Sequence, residues 1–237
     1  RVRIGRWNVP GKPVAILVDY KQFITEQDRI LTEFWTRFGV DSITGDWDYK
    51  ESALFVYAAG KVIESFYNHS LSASDRIVAQ FHEWQTGAGL LYLKSVNIPV
   101  ATVFTTHATM MGRCICGNNL PLYNALQSYD GDAMARRLNV IARHSLEQKS
   151  AQNADIFTTV SEITARECKQ FHGREVDVVT PNGFENSFTP DSSEAWHEKH
   201  ARARAKLSEV AEAMSGAPVA DDAVFVGIGG RYEYRDK

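Results

Sequence analysis

Short apolar runs alternate with helical stretches along most of this chain. The runs are rich in Val, Ile and Phe, and their continuous apolar character is typical of strands buried on both faces of a parallel sheet. Between them, apolar residues recur at mixed three- and four-residue spacing, which indicates helices. The pattern predicts an α/β fold with a parallel sheet. The predicted strands are 14–18, 77–81, 98–104, 155–160, 176–180 and 223–228, and the predicted helices are 22–38, 52–67, 86–95, 132–153, 163–171 and 194–214.

Composition excludes several classes of protein. The chain has 237 residues, 44% of them hydrophobic, and a formal net charge of −3 with no block of like charges. This balance argues against nucleic acid or an anionic membrane as the main partner. No apolar run approaches the roughly 18 residues of a membrane span, and the three cysteines are too few for a disulfide framework. We therefore expect a soluble protein of the cytoplasm. Because the chain begins with Arg, we expect it to be a fragment.

Two changes in composition divide the chain. Residues 188–193 read F-T-P-D-S-S, and a highly charged helix follows, which we interpret as a solvated connector. Residues 216–223 read G-A-P-V-A-D-D-A and precede the last predicted strand. We expect one domain at 1–221, lacking its first elements, and the truncated start of a second domain at 222–237.

Polar residues stand just past the carboxyl ends of the predicted strands. In an open parallel sheet these ends share one edge, where ligands bind, so residues distant in sequence should converge on one cleft. The strand-end residues are Asp19, His82, Glu83, His107, Ser161, Glu162, Asn182 and Arg231.

Each strand-end residue also has a structural interpretation. Ser161 suits a helix cap, with Glu162 in the first turn, and Asn182 precedes Gly183 in a turn-like T-P-N-G. Asp19 is well explained as a loop or cap residue. His107 is a satisfied core histidine, a metal ligand or part of a polar substrate site.

Two kinds of cysteine site are disfavoured by spacing. Cys114 and Cys116 lie two residues apart, and their side chains would diverge in an extended strand, so they do not match a structural zinc site. A nucleophilic Cys–His site lacks an evident third, orienting residue. We expect no metal ligands.

A glycine-rich stretch, G-I-G-G-R-Y-E-Y-R-D-K, follows the last predicted strand. The glycines alone are a weak nucleotide signal. Arg231 and Lys237 lie six residues apart where the chain leaves a strand, and two such cations suit a diphosphate at a helix N-terminus. Two ordinary surface charges would have the same spacing.

Several motifs, taken together, resemble the eukaryotic-type glycogen synthases of glycosyltransferase family 3. They are I-G-R-W at 4–7, F-H-E-W at 81–84, F-T-T-H-A-T-M-M-G-R at 104–113, F-T-T-V-S-E-I-T-A at 157–165, V-V-T-P-N-G at 178–183 and G-R-Y-E-Y-R-D-K at 230–237. The resemblance implies a GT-B fold with two Rossmann-like domains. It also implies retaining transfer of glucose from UDP-glucose to the non-reducing end of an α-1,4-glucan, without a metal or other cofactor.

The resemblance assigns roles to individual residues. It implies that His107 contacts the donor glucose and that Glu83 is an acidic residue at the cleft floor, both in the catalytic set. It implies that the substrate-binding residues are Arg231, Lys237, Asn182, Arg113 and His82, with Arg231, Lys237 and Arg113 near the donor phosphates.

The resemblance has limits and leaves alternatives. The family's glycine-rich N-terminal loop is unmatched, and Asp236 stands where the last motif usually has Asn. UDP-glucose and ADP-glucose are the alternative donors, and front-face attack and a covalent intermediate are the alternative mechanisms. A second copy of the chain, in a homo-oligomer, is a further candidate partner. The other functional interpretations are a GT-B transferase with another donor or acceptor and a non-catalytic glucan- or nucleotide-binding module.

Overall fold

The structure is a computed structural model, and it describes residues 1–72, 74–184 and 192–227. By its contacts the chain divides into two compact units, Arg1–Asn182 and Gly183–Lys237. The expected start of a further domain at residue 222 stays a prediction, because residues 228–237 lie outside the described part.

The first unit is built on a four-stranded parallel sheet. Its strand order is β3-β4-β5-β6, so each strand pairs with the next one along the chain. Helices connect the successive strands, as a parallel arrangement requires. The predicted α/β fold with a parallel sheet is therefore confirmed. The strands are β1 Val2–Arg6, β2 Val14–Val18, β3 Val78–His82, β4 Ala101–Thr106, β5 Ile156–Thr159 and β6 Val178–Val179.

Strand β2 does not belong to the parallel sheet, and its predicted place there was wrong. It pairs antiparallel with β1, which the apolar pattern did not predict, in a two-stranded hairpin. Seven residues join the two strands, which is too few for a parallel crossover. Within this connection, Gly11 and Lys12 have positive φ. No residue of either strand is fully buried, so β2 is not a strand covered on both faces.

The helices match most of the predicted stretches. Side-chain caps fix several of their starts: Asp46, Thr109, Asp130, Ser161 and Ser192 each accept a backbone N–H from the first turn of the following helix. The cap role of Ser161 was predicted. The helices are α1 Gln27–Phe38, α2 Trp47–Ser70, α3 Glu83–Val96, α4 Met110–Gly117, α5 Gly131–Arg137, α6 Ile141–Asn153, α7 Glu162–His172 and α8 Ser193–Ser215, with short 3₁₀ turns at Lys21–Glu26 and Leu126–Ser128.

Three local predictions differ from the structure. Helix 132–153 is two helices, because the chain turns at Leu138–Val140 with Asn139 at φ 56°. The segment that holds Cys114 and Cys116 is helix α4, not an extended strand. Residues 223–227 form no strand within the described part of the chain, and residue 228 lies outside it.

Helix α3 lies at the centre of the core. It packs against both α2 and α6 and against strands β3 and β4, and most of its residues are buried. A Cβ on Gly89 would lie 2.6 Å from a Val56 methyl and 2.9 Å from the Val56 carbonyl oxygen, so the close approach of α2 and α3 requires glycine there.

The second unit is dominated by α8, which has no buried residue, in agreement with the solvated helix predicted from its charge. Arg204 donates hydrogen bonds to the carbonyl oxygens of Asp221 and Ala223 and so fixes the segment that follows α8. None of the described helices is long and apolar enough to span a membrane.

Candidate functional site at the carboxyl edge of the sheet

The register of the sheet brings the strand-end residues to one edge. His82 is paired with Thr105, two residues before His107, and Thr106 is paired with Thr159, two residues before Ser161. Strand β6 adds the chain that leads to Asn182. The strand ends that lead to His82, His107 and Ser161 therefore share the carboxyl edge of the sheet.

His82 and His107 contact each other directly. His82 Nδ1 lies 3.0 Å from His107 Nε2, a hydrogen bond in which one ring must donate and the other accept. Partial burial, followed by the nearby His107, lowers the pKa of His82. This pKa shift favours a neutral His82 near pH 7, so one ring of the pair retains a lone pair for the hydrogen bond.

Glu83 holds the loop that carries His107. One carboxylate oxygen, Oε1, accepts the backbone N–H groups of His107 at 2.7 Å and of Ala108 at 3.2 Å. Glu83 itself has φ 62°, a left-handed conformation that is uncommon outside glycine and asparagine and costs on the order of 1–3 kcal/mol. The two N–H contacts offset this strain. Glu83 is therefore a positioning residue for His107 in this geometry.

Two further carboxylates fix the start of α4, just after His107. Thr109 caps the helix through Gly112 N–H and donates its own hydroxyl hydrogen to Glu167 at 2.6 Å. Glu147 Oε2 accepts the N–H of Met110 at 2.9 Å. A Cβ at Gly112 would lie 2.2 Å from Glu167 Oε2, so a larger residue there would displace this carboxylate from Thr109.

Glu147 is fully buried beside two fully buried histidines, His144 and His172. Burial raises the pKa of Glu147 to about 8, although the hydrogen bond from Met110 N–H acts in the opposite direction. Burial, and then His144, lowers the pKa of His172 to about 3. His172 Nε2 lies 3.5 Å from Glu147 Oε2 without a hydrogen bond between them, and burial of both groups favours the neutral pair, with the titrating proton on Glu147, over the ion pair.

These opposite shifts predict a stability plateau between about pH 4.5 and 6.5. There the unfolded pair is a carboxylate and an imidazolium and the folded pair is neutral, so both states bind one proton. Above pH 6.5 the unfolded pair binds none while folded Glu147 keeps its proton to about pH 8, so stability falls as pH rises. Below pH 4.5 the unfolded pair binds two protons and the folded pair one, so stability falls as pH falls.

The measurement is urea unfolding at pH 5.5 and pH 8 in buffer with EDTA. We expect this pair to lower the free energy of unfolding by about 2 kcal/mol over that interval, from a slope of about 1.4 kcal/mol per pH unit. Glu147→Gln keeps an acceptor for Met110 N–H but does not titrate. The decrease in the free energy of unfolding that Glu147 causes between pH 5.5 and pH 8 should therefore be absent in this variant. An identical pH dependence in both proteins would contradict the neutral pair.

The remaining predicted residues are distributed as follows. Arg113 is exposed on α4, and its positive charge acts to lower the pKa of Glu147. Asn182 is exposed beyond β6. Asp19 follows the hairpin strand β2, so its predicted place on the sheet edge was wrong; its carboxylate accepts the N–H of Lys21. Arg231 and Lys237 lie outside the described residues.

Sequence reasoning missed the buried polar residues behind the site. Val140 is the N-cap of α6, and residues 144, 147 and 151 follow it at spacings of four, three and four. His144 and Glu147 therefore fall on the same stripe as Val140 and Ala151. A histidine and a glutamate within an apolar stripe were the available signal.

The fold and this edge define an α/β protein with a polar site at the carboxyl ends of parallel strands, where proteins of this class bind their ligands. The glycogen synthase family profile matches residues 1–237, and the chain belongs to that family. It is 34% identical over 240 residues to the liver glycogen [starch] synthase of Mus musculus, covering all of this chain and 34% of that protein.

Two other relatives show the same partial coverage. The glycogen [starch] synthase of Dictyostelium discoideum is 34% identical, with 27% of its length covered, and that of Caenorhabditis elegans is 32% identical, with 36% covered. In both cases the match covers the whole of this chain. The chain thus spans about a third of the length of the curated relatives it matches.

Proposed function

We propose that this chain is part of a retaining glucosyltransferase that transfers glucose from UDP-glucose to the non-reducing end of an α-1,4-glucan. Family membership supports the reaction class. The single structural observation that carries the proposal is the placement of His107 at the carboxyl edge of the sheet, held there by the Glu83 carboxylate.

In the proposed reaction, the bond between C1 of glucose and the phosphate oxygen breaks, and a bond from C1 to the acceptor hydroxyl oxygen forms. The hydroxyl proton passes to the departing phosphate. Negative charge therefore grows on UDP and positive charge on the sugar, and fixed charges that complement this distribution stabilise the transition state. We assign the diphosphate to Arg231 and Lys237, with Arg113 near the same phosphates, and no metal to this step.

His107 is proposed to bind hydroxyls of the donor glucose. Its Nε2 contacts His82, and among the described residues its Nδ1 has no hydrogen-bond partner, so that nitrogen is available to a sugar. Glu83 fixes the loop through the backbone and leaves the imidazole itself unconstrained by a carboxylate. Asn182 and His82 are proposed to complete the sugar-binding edge.

The wider architecture belongs to the same proposal. We infer a GT-B enzyme of the cytoplasm, in which the first unit described above is one Rossmann-like half of the cleft. The sheet order β3-β4-β5-β6 supports the part of that inference that concerns this unit.

A glucose-transfer assay tests the function. We expect the isolated 237-residue chain to fold but to transfer no glucose to glycogen, because it spans about a third of its relatives' length. The full-length protein that contains the chain should transfer labelled glucose from UDP-glucose. The comparison should be run with ADP-glucose as well, at equal protein concentration.

Two results would contradict this proposal. Glucan elongation by the isolated chain would show that a cleft between two domains is unnecessary. Failure of the full-length protein with both donors, in a folded sample that still binds glycogen, would favour the non-catalytic binding module.

A further inference from the structure

A cluster of buried side chains of metal-binding type lies between α6 and α7, behind the candidate site. It consists of His144 and Glu147 on α6 and His172 on α7, and all three are fully buried. One potential ligand atom from each lies within 4.8 Å of those of the other two. We propose that these three residues bind a divalent zinc ion. This site is separate from the proposed glucosyl transfer and makes no contact with substrate.

Four buried polar atoms of this cluster have no hydrogen-bond partner among the described residues. His144 Nδ1, Glu147 Oε1 and both ring nitrogens of His172 are buried without a partner in the described part of the chain. A buried polar atom without a partner destabilises the folded state, because it loses its hydrogen bonds to water without replacement. Several such atoms in one place point to a missing ligand that accepts lone pairs, since two imidazoles and a carboxylate all offer them.

A carboxylate orients one of the histidines in the way metal sites commonly do. Asp132 Oδ1 lies 3.1 Å from His144 Nε2 and so holds the proton on that nitrogen. The other nitrogen, Nδ1, then presents its lone pair, which is the arrangement of a metal-bound histidine with an outer carboxylate. Gly131 lies against the same ring, and a Cβ there would be 3.2 Å from Nε2.

The distances suit a small tetrahedral ion. Ligands 2.0–2.2 Å from a tetrahedral zinc are about 3.4 Å apart, and His172 Nε2 lies 3.5 Å from Glu147 Oε2. His144 and Glu147 are three residues apart on α6, so they share one helix face. Two nitrogen ligands and one carboxylate favour zinc over magnesium or calcium, which prefer oxygen.

The site has a clear structural consequence. Glu147 accepts the N–H of Met110 at the start of α4, three residues after His107. An ion that fixes Glu147 would also fix this turn, and it would join α6 to α7 across their shared core.

Metal binding can be measured on the chain itself after removal of metal with EDTA. We expect one zinc ion per chain by elemental analysis and a rise in Tm of about 5–10 °C at zinc concentrations 100-fold above Kd. Cobalt should replace zinc and give the visible bands of a tetrahedral ion. Because this readout uses the unaltered chain, it does not depend on any variant folding. A wild-type chain that binds neither ion would overturn the proposal.

Two variants test the ligands. His172→Leu removes one ligand together with its unpartnered nitrogens, so it should weaken zinc binding by more than about a hundredfold while the metal-free Tm is unchanged or higher. Asp132 is largely exposed, so Asp132→Ala should fold and should weaken binding about 10- to 100-fold. If both variants bound zinc as tightly as the unaltered chain, the proposal that these residues bind the ion would be wrong.

Surface groups provide the matched controls. His69→Ala removes an exposed histidine, and a Cys114→Ser, Cys116→Ser double variant removes the more accessible thiols. Both should keep the stoichiometry and the Tm shift of the unaltered chain. Loss of binding in the cysteine variant would assign the ion to the thiols and refute the buried site. Since none of these readouts involves glucose transfer, they stand or fall independently of the proposed function.

Discussion

His107→Ala in the full-length protein is expected to lower kcat at least about a hundredfold while changing the free energy of unfolding by less than about 1 kcal/mol. The imidazole is only partly buried, and its described side-chain contact is His82, so little packing is lost. The proposed contacts to the sugar strengthen as charge develops at C1, and interactions of that kind affect the rate rather than the ground state.

The measurement is kcat and KM for UDP-glucose, together with urea unfolding, on the same preparations. His69→Ala is the matched control, because it removes an exposed histidine on α2 that has no place in the proposed sugar-binding edge. We expect it to leave kcat unchanged. A His107→Ala protein with near-normal specific activity and a markedly lower Tm would assign His107 a structural role.

The sheet and its polar edge were predictable because they depend on patterns that are local in sequence. The run 98–104 is apolar because β4 is mostly buried, whereas β3 buries only alternate residues, Ala79 and Phe81. A parallel sheet then fixes which end of each strand carries the ligand site. The convergence of His82 and His107 follows from that topology. The contact between their rings does not, because it depends on the turn that Glu83 makes at φ 62°.

The hairpin and α4 are elements that the local sequence pattern did not predict correctly. Residues 14–18 have the composition of a buried strand, yet their partner is β1, a segment too polar to be recognised from its own sequence. Helix α4 is only eight residues long and begins at a cap, Thr109, whose position is fixed by Glu167 on α7. A contact between residues 58 positions apart cannot be deduced from spacing.

The role of Glu83 changed most between sequence and structure. An acidic residue beside a histidine at a strand end suggests acid–base chemistry, and the family resemblance gave it a catalytic role. The structure directs one of its oxygens to two backbone N–H groups. A chemical role would use the other oxygen, and the anchoring of the loop depends on two long-range contacts that sequence alone does not reveal.

Lys237→Ala in the full-length protein is expected to lower the rate of glucose transfer about a hundred- to thousandfold. The proposed reaction places new negative charge on UDP, and no metal is assigned to that step, so fixed cations must stabilise the leaving group. Removing one preorganised charge contact to a developing anion costs about 3–4 kcal/mol. Lys237 and Arg231 lie outside the described residues, so this prediction depends on the family resemblance and the spacing of the motif.

Arg235 supplies the matched control, since it lies two residues away and carries the same charge. A cation that only attracts the anionic donor from a distance acts through a screened field, and its contribution declines as salt is added. Arg235→Ala should therefore cost less than about tenfold, with a loss that diminishes between 50 and 500 mM salt. The loss in Lys237→Ala should persist across that range, because a direct contact to phosphate is little screened. Equal losses in the two variants, with the same salt dependence, would show that this segment steers the donor without gripping its diphosphate.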